Sequence, residues 1–312
     1  MSQPTSPARR GRLLRIGAAC AVLLALAGYL AVHFSATGPG APQCTVRVPG
    51  RDGDDGYELE PEQAVNAATI EAVGSARGLS ERAITIALAT AMQESGLRNI
   101  DYGDRDSVGL FQQRPSQGWG NGRQIRDPVY SAGKFYEHLV KVPGYSRLPL
   151  TVAAQRVQRS GFPQAYAKHE PNASLLAAAL TGRMPGAFSC RTPPADGRPG
   201  DPAGVRAQLV REFGPEVLPG REAGRKQRAA GGARSVVAVP VTAAVGDGTG
   251  RRGWEVAHWA VAHATELRVA QVSYAGRVWS SGSSGQGWRK TDGRSVPGSS
   301  GGSDTVLITV AR

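Results

Sequence analysis

Glu94 is the residue best placed to do chemistry. It falls in the last turn of a stretch whose Ile84, Ala87, Leu88, Ala91 and Met92 recur at helical spacing, and Ser95 and Gly96 follow it. A carboxylate at a helix C-terminus faces the negative end of the macrodipole, and partial burial adds a desolvation cost. Both effects raise its pKa. A carboxylic acid kept protonated near neutral pH is what a general acid for glycosidic cleavage needs. The plainer alternative is a solvated glutamate at a fraying helix end. Asp101, Asp104 and Asp106 follow in a short polar run. They are candidates for the second carboxylate that a hydrolase would require. They equally suit a turn-rich loop that satisfies its own backbone.

The cysteines and histidines carry different messages. Cys44 and Cys190 bracket one segment, which suggests a disulfide closing its ends in an oxidising compartment. Cys20 lies inside an apolar run and reads as a buried thiol. His258 and His263 are five residues apart, so on a helix they point about 140° from each other. A zinc site needs three or four ligands, so no metal and no cofactor are expected.

The elements that must position Glu94 are helical. Pro61 suits the first turn of a helix running to about Arg77, with Glu58, Glu60 and Glu62 near its positive end. Ser80 is placed to cap a second helix, Glu81 to about Ser95, which Gly96 ends. Residues 101–122, rich in Gly and Asp, read as loop. Helices are expected again at about 128–140, 150–159 and 174–180. Beyond them the pattern changes. Strands are expected at 236–245, 269–274, 277–279 and 305–310, with a helix at 254–267, which makes a small α+β module.

Composition sets the outer limits. The chain has 312 residues, 41 Gly, 21 Pro and a formal charge of +12. Forty per cent hydrophobic residues allow a packed core and exclude wholesale disorder. The positive excess lies outside 44–190, where 16 basic residues meet 15 acidic ones. Residues 1–15 carry four Arg and no acid, and 16–34 then run apolar except for His33. That pattern is read as a single-pass transmembrane anchor at the lower limit of length, with the remainder exported. A cleaved signal peptide ending near Ala25-Leu26-Ala27, and hence a secreted protein, is the alternative. Residues 191–234 read as a basic Pro/Gly-rich linker with one short helix at 203–213. The chain lacks basic–aromatic interleaving, which argues against nucleic acid as a partner.

The residues around Glu94 carry a resemblance. Gln93-Glu94-Ser95-Gly96-Leu97, followed by Gly109-Leu110-Phe111-Gln112, resembles the Glu-Ser and Gly-Leu-x-Gln motifs of lysozyme-like lytic transglycosylases of the actinobacterial cell envelope. The resemblance covers roughly residues 58–188. Phe162-Pro163-Gln164-Ala165-Tyr166 stands where that family has an Ala-Tyr-Asn element, without the usual Asn. The implied activity is cleavage of the β-1,4 bond between N-acetylmuramic acid and N-acetylglucosamine in peptidoglycan. Glu94 would be acid and then base, with a sugar hydroxyl closing a 1,6-anhydro ring. The resemblance implies that Ser95, Tyr102, Gln112, Gln113, Trp119, Gln158 and Tyr166 contact substrate or position Glu94. The C-terminal module resembles one that trails cell-wall hydrolases. Where relatives carry histidines of a peptidase-like metal site, this chain has Gly302, Thr305 and Leu307 beside Asp304.

The expectation is therefore a mainly α lysozyme-like domain at 44–190, a linker, and a small α+β domain at 235–312, behind a transmembrane helix at 16–34. Its partners would be peptidoglycan and, through that helix, the cytoplasmic membrane. The function would be lytic transglycosylase or muramidase. The alternative is a non-catalytic peptidoglycan-binding or scaffold protein of the same fold.

Overall fold

A computed structural model describes residues 16–29, 40–48, 50, 56–162, 164–218, 235–241, 250–291 and 304–312. The chain divides into two units, Met1–Pro42 and Gln43–Arg312.

The first unit corrects the anchor. Its described part is one helix, α1, at residues 16–29. At 1.5 Å per residue that is about 21 Å, short of a hydrocarbon core of about 30 Å. Among the described residues no helix is long and apolar enough to cross a membrane. The single-pass membrane location falls with it. Residues 30–34, which completed the expected span, lie outside the described residues. Cys20 is exposed on α1, where a buried thiol was expected.

The second unit also departs from the expected class. Instead of a mainly α domain and a separate small one, Gln43–Arg312 packs helices and two sheets around one continuous core. The helices are α2 (Pro61–Ala76), α3 (Glu81–Ser95), α4 (Gly122–Ile125), α5 (Pro128–Leu139), α6 (Leu150–Gln158), α7 (Glu170–Leu180), α8 (Pro202–Phe213) and α9 (Arg251–Ala262). Strands β1 (Gln43–Val46), β2 (Tyr57–Leu59) and β3 (Phe188–Arg191) form an antiparallel sheet in the order β2-β1-β3. A second sheet, in the order β4-β8-β5-β6-β7, takes β4 (Val236–Pro240), β5 (Val269–Tyr274), β6 (Arg277–Ser280), β7 (Arg289–Lys290) and β8 (Thr305–Val310).

The local signals explain the helices near the site. Glu60 and Gln63 form a reciprocal capping box at the start of α2. Ser80 stands at the N-cap of α3, although its hydroxyl makes no capping bond. Gly96 ends α3 at φ 63°, the left-handed conformation that favours glycine. The chain then runs from Leu97 to Asn121 with only one short 3-10 turn, Pro115–Gln117.

Helix α9 unites the unit. It packs on α2, α7 and β3 and on β5 and β8. Its Trp254, Val256, Ala257, Trp259, Ala260 and Val261 are all buried. Helix α8, inside the expected linker, also packs on α2. Residues 219–234 of that linker lie outside the described residues. The expected disulfide is present: Cys44 and Cys190 face each other across the β1–β3 pair and are bonded, with Cα atoms 3.9 Å apart.

Candidate active site

Glu94 projects from the last turn of α3 and is half-buried. Tyr166 Oη donates to Glu94 Oε1 at 2.6 Å, although the two residues are 72 apart in sequence. The Gln158 side chain, at the end of α6, lies close enough to Glu94 to favour its charged form. Burial raises the Glu94 pKa from its ordinary value, and the bond from Tyr166, with the nearby Gln158 amide, offsets part of that rise. Tyr166 is itself fully buried. Burial first, and then the neighbouring Glu94 carboxylate, push its phenol well up, so it stays a hydrogen-bond donor.

Three elements converge on this point. Gln158 Nε2 donates to Phe111 O at 2.7 Å, tying α6 to the loop. Ser95 Oγ donates to Leu110 O at 2.8 Å, tying the end of α3 to the same loop. Phe111 is buried, and its ring stacks on Phe135 of α5 with centroids 4.7 Å apart. Ser95 thus ties the end of α3 to the loop that leads into Gln112. His169 Nε2 lies 3.1 Å from Gln93 Oε1, beside Glu94, and is a contact the sequence did not announce.

The loop residues separate into two groups. Tyr102 is exposed, and Gln112 Nε2 donates to its carbonyl at 3.3 Å and to Gly109 O at 3.2 Å. Gln112 holds a positive φ of 46°, a conformation uncommon outside glycine. Gly103 leaves it room, because a Cβ there would overlap Gln112 Oε1. Gln113 is buried and donates to Ser131 O at 3.1 Å, so it braces the loop against α5. Trp119 is half-buried, with its ring 4.2 Å from that of His138.

Asp101 and Asp104 are exposed. Asp106 is committed elsewhere: it accepts from Arg114 Nε at 2.8 Å and from Ser116 N and Oγ at 2.8 and 3.0 Å. The Arg114 guanidinium, followed by the two bonds from Ser116, holds its carboxyl far below the usual range. Arg114 and Ser116 were missed from sequence; an eight- or ten-residue separation inside a loop has no period to reveal it.

The C-terminal histidines are structural in their surroundings. His258 is buried among Trp254, Phe188 and Trp288, and its Nδ1 donates to Ala179 O at 2.8 Å. Burial lowers its pKa to about 4, so it is neutral. His263 is buried beside Glu212 and Glu266. Burial alone would discharge it, but the two carboxylates outweigh that and raise it to about 9. Asp304 immediately precedes β8, and Gly302 lies outside the described residues. Among the described residues no group of three or more His, Cys, Asp or Glu is arranged to hold a metal.

Residues 203–300 match the family VldE, C-terminal domain. The match takes in α9, with Glu255 and His258, and leaves out Glu94, Gln158 and Tyr166. It therefore bears on less than a third of the chain. A search of curated proteins found no match.

Proposed function

We propose that the protein cleaves the glycan strands of peptidoglycan, with Glu94 as the acid. The observation that carries this reading is the 2.6 Å bond from Tyr166 Oη to a half-buried Glu94 whose pKa burial has raised. A protonated Glu94 would donate to the glycosidic oxygen. Tyr166 and Gln158 then stabilise the carboxylate that remains and hold it in place to take a proton from the sugar hydroxyl. Both phases need the same oxygen in the same position, which a buried phenol bond from a packed side chain provides.

A transglycosylase fits better than a hydrolase. Asp106 already accepts three hydrogen bonds and is a poor base, and neither Asp101 nor Asp104 has an interaction with Glu94. The Cys44–Cys190 bridge supports an oxidising compartment, which a secreted protein would meet. Exposed Tyr102 and half-buried Trp119 would offer faces for sugar rings.

The test is digestion of purified peptidoglycan by the oxidised full chain and by its Glu94→Gln variant, with products read by mass spectrometry. Anhydro-sugar products from the wild type alone support the proposal, with a loss of about 100-fold or more in the variant. Reducing-end products would replace it with muramidase chemistry. No products from either, with equal co-sedimentation, would replace it with glycan binding.

A further inference from the structure

The turn that carries Tyr166 is fastened to α3 twice beside the candidate acid. Tyr166 stands at the N-cap of the 3-10 turn Ala167–His169, which runs straight into α7. A 3-10 helix has three residues per turn, so side chains at i and i+3 lie one above the other. Tyr166 and His169 therefore share a face, and the His169 N–H closes the turn on Tyr166 O at 3.1 Å. That face meets the last turn of α3. Tyr166 Oη donates to Glu94 Oε1 at 2.6 Å, and His169 Nε2 lies 3.1 Å from Oε1 of Gln93, the preceding residue.

Two bonds from one turn to two consecutive residues close a ring. A single phenol bond leaves the turn free to pivot about it, and a second bond three residues on removes that pivot. Chemistry fixes the direction of the second bond. An amide oxygen only accepts, so His169 Nε2 carries the proton and donates. Burial, and then the Lys168 charge, lower the His169 pKa, so the ring is neutral near pH 7 and places no cation beside Glu94. The next residue, Glu170, pairs with Arg82 at 2.7 Å, but Arg82 lies at the opposite end of α3 and both side chains are partly open to water. Such a pair holds little.

We propose that His169 is a positioning residue: through Gln93 it locks the turn that presents the Tyr166 phenol to Glu94. Its consequence for catalysis rests on Glu94 being the acid; the lock itself does not.

The test is an NMR titration of the oxidised full chain carrying glutamate labelled with carbon-13 at Cδ. The Glu94 signal is identified by its loss in Glu94→Gln. His169→Ala should raise the Glu94 pKa further, because a loosened phenol stabilises the carboxylate less. Gln93→Leu, which removes the acceptor and leaves His169 in place, should do the same. His169→Gln, whose amide N–H replaces Nε2–H, should restore the wild-type value. In a Tyr166→Phe background His169→Ala should add nothing. Arg82→Gln, which frees the far end of the same turn, should leave Glu94 unmoved. In peptidoglycan digestion, His169→Ala should lower kcat about ten-fold with KM unchanged. An unmoved or lowered Glu94 pKa in both His169→Ala and Gln93→Leu would overturn the lock. So would an additive shift in the double variant, no restoration by His169→Gln, or an equal shift in Arg82→Gln. The expected shifts in a protein whose wild type releases no glycan product would uphold the lock and remove the glycan reading instead.

Discussion

The Tyr166–Glu94 pair sets the pH behaviour of the candidate site. Burial raises the Glu94 pKa, and the phenol bond lowers it by favouring the charged form. A general acid is active while protonated, so cleavage should fall as pH rises through the Glu94 pKa. Removing the phenol bond with Tyr166→Phe takes away a stabiliser of the carboxylate, so that alkaline limb should move to higher pH. The maximal rate should drop about ten- to a hundred-fold, because the oxygen is no longer fixed for the second proton transfer. The check is a pH–rate profile of peptidoglycan clearance for both proteins. An unshifted alkaline limb would mean that Tyr166 merely fills space. Glu94→Gln keeps an acceptor for Tyr166 and removes a desolvated charge. Its thermal midpoint should therefore exceed that of the wild type at pH 7.5. The sign follows from linkage: a raised carboxyl pKa gives stability that is present at low pH and lost as pH rises through the folded value. The gap between the two midpoints should accordingly close toward pH 4.

Between elements, the consequential contact is the one that joins α2 to α9. Glu71 and Glu255, both buried, lie close enough there for the one's charge to act on the other. Arg252 Nη1 reaches Glu255 Oε2 and Ser75 Oγ, each at 2.8 Å. One oxygen of each carboxyl, Glu71 Oε1 and Glu255 Oε1, has no partner. Burial, and then the Glu255 charge, raise the Glu71 pKa well above normal, with Arg252 only partly opposing them. The same linkage applies: the stability that a protonated Glu71 provides is lost as pH rises through its folded pKa. Glu71→Gln should flatten this dependence and stabilise the protein at pH 8 by about 1–3 kcal/mol, the scale of an uncompensated buried polar group. Thermal midpoints from pH 5 to 9 would read it, and parallel curves would sink the idea. The sequence hides this contact for a physical reason. Apolar periodicity tells that Ile84, Ala87 and Leu88 share an inward face, and capping and glycine signals place α2 and α3 to within a residue. Neither tells which distant helix completes a face. A glutamate at position 71 looks like a solvated residue until the partner helix is known. For the same reason Tyr166 could be suspected only through a family resemblance, since its bond to Glu94 spans 72 residues.

For the molecule as a whole, the question is whether residues 44–190 are a unit of folding. Composition suggests so: a near-neutral helical segment bracketed by two cysteines and followed by a Pro/Gly/Arg-rich stretch. The contacts argue otherwise. Trp288 Nε1 donates to Phe188 O at 2.8 Å, and Trp279 Nε1 to Cys190 O at 3.2 Å. The His258 ring covers Phe188 and bonds Ala179 O, and Arg211 pairs with Asp127 at 2.6 Å. At Gly182, φ is 71° and a Cβ would overlap the Arg251 carbonyl, so the turn after α7 admits the start of α9 only as glycine. Cutting the chain after Cys190 would expose Phe188, the buried face of α7 and the Glu71 carboxyl together. Burial of one large apolar side chain is worth about 1.5–3 kcal/mol, and whole domains are stable by only about 5–15 kcal/mol. A fragment ending at 190 should therefore fail to unfold cooperatively, even with its disulfide formed. Residues 43–312, by contrast, should melt in a single calorimetric transition whose van't Hoff and calorimetric enthalpies agree. Replacing Cys44 and Cys190 by Ala in that longer chain should lower its stability by about 2–5 kcal/mol without splitting the transition, because the bridge constrains the unfolded chain while the α9 interface does the joining. Two resolved transitions in residues 43–312, or a cooperative melt of residues 44–190 alone, would instead make the C-terminal part a separable appendage. The Glu71–Glu255 contact would then be incidental to folding.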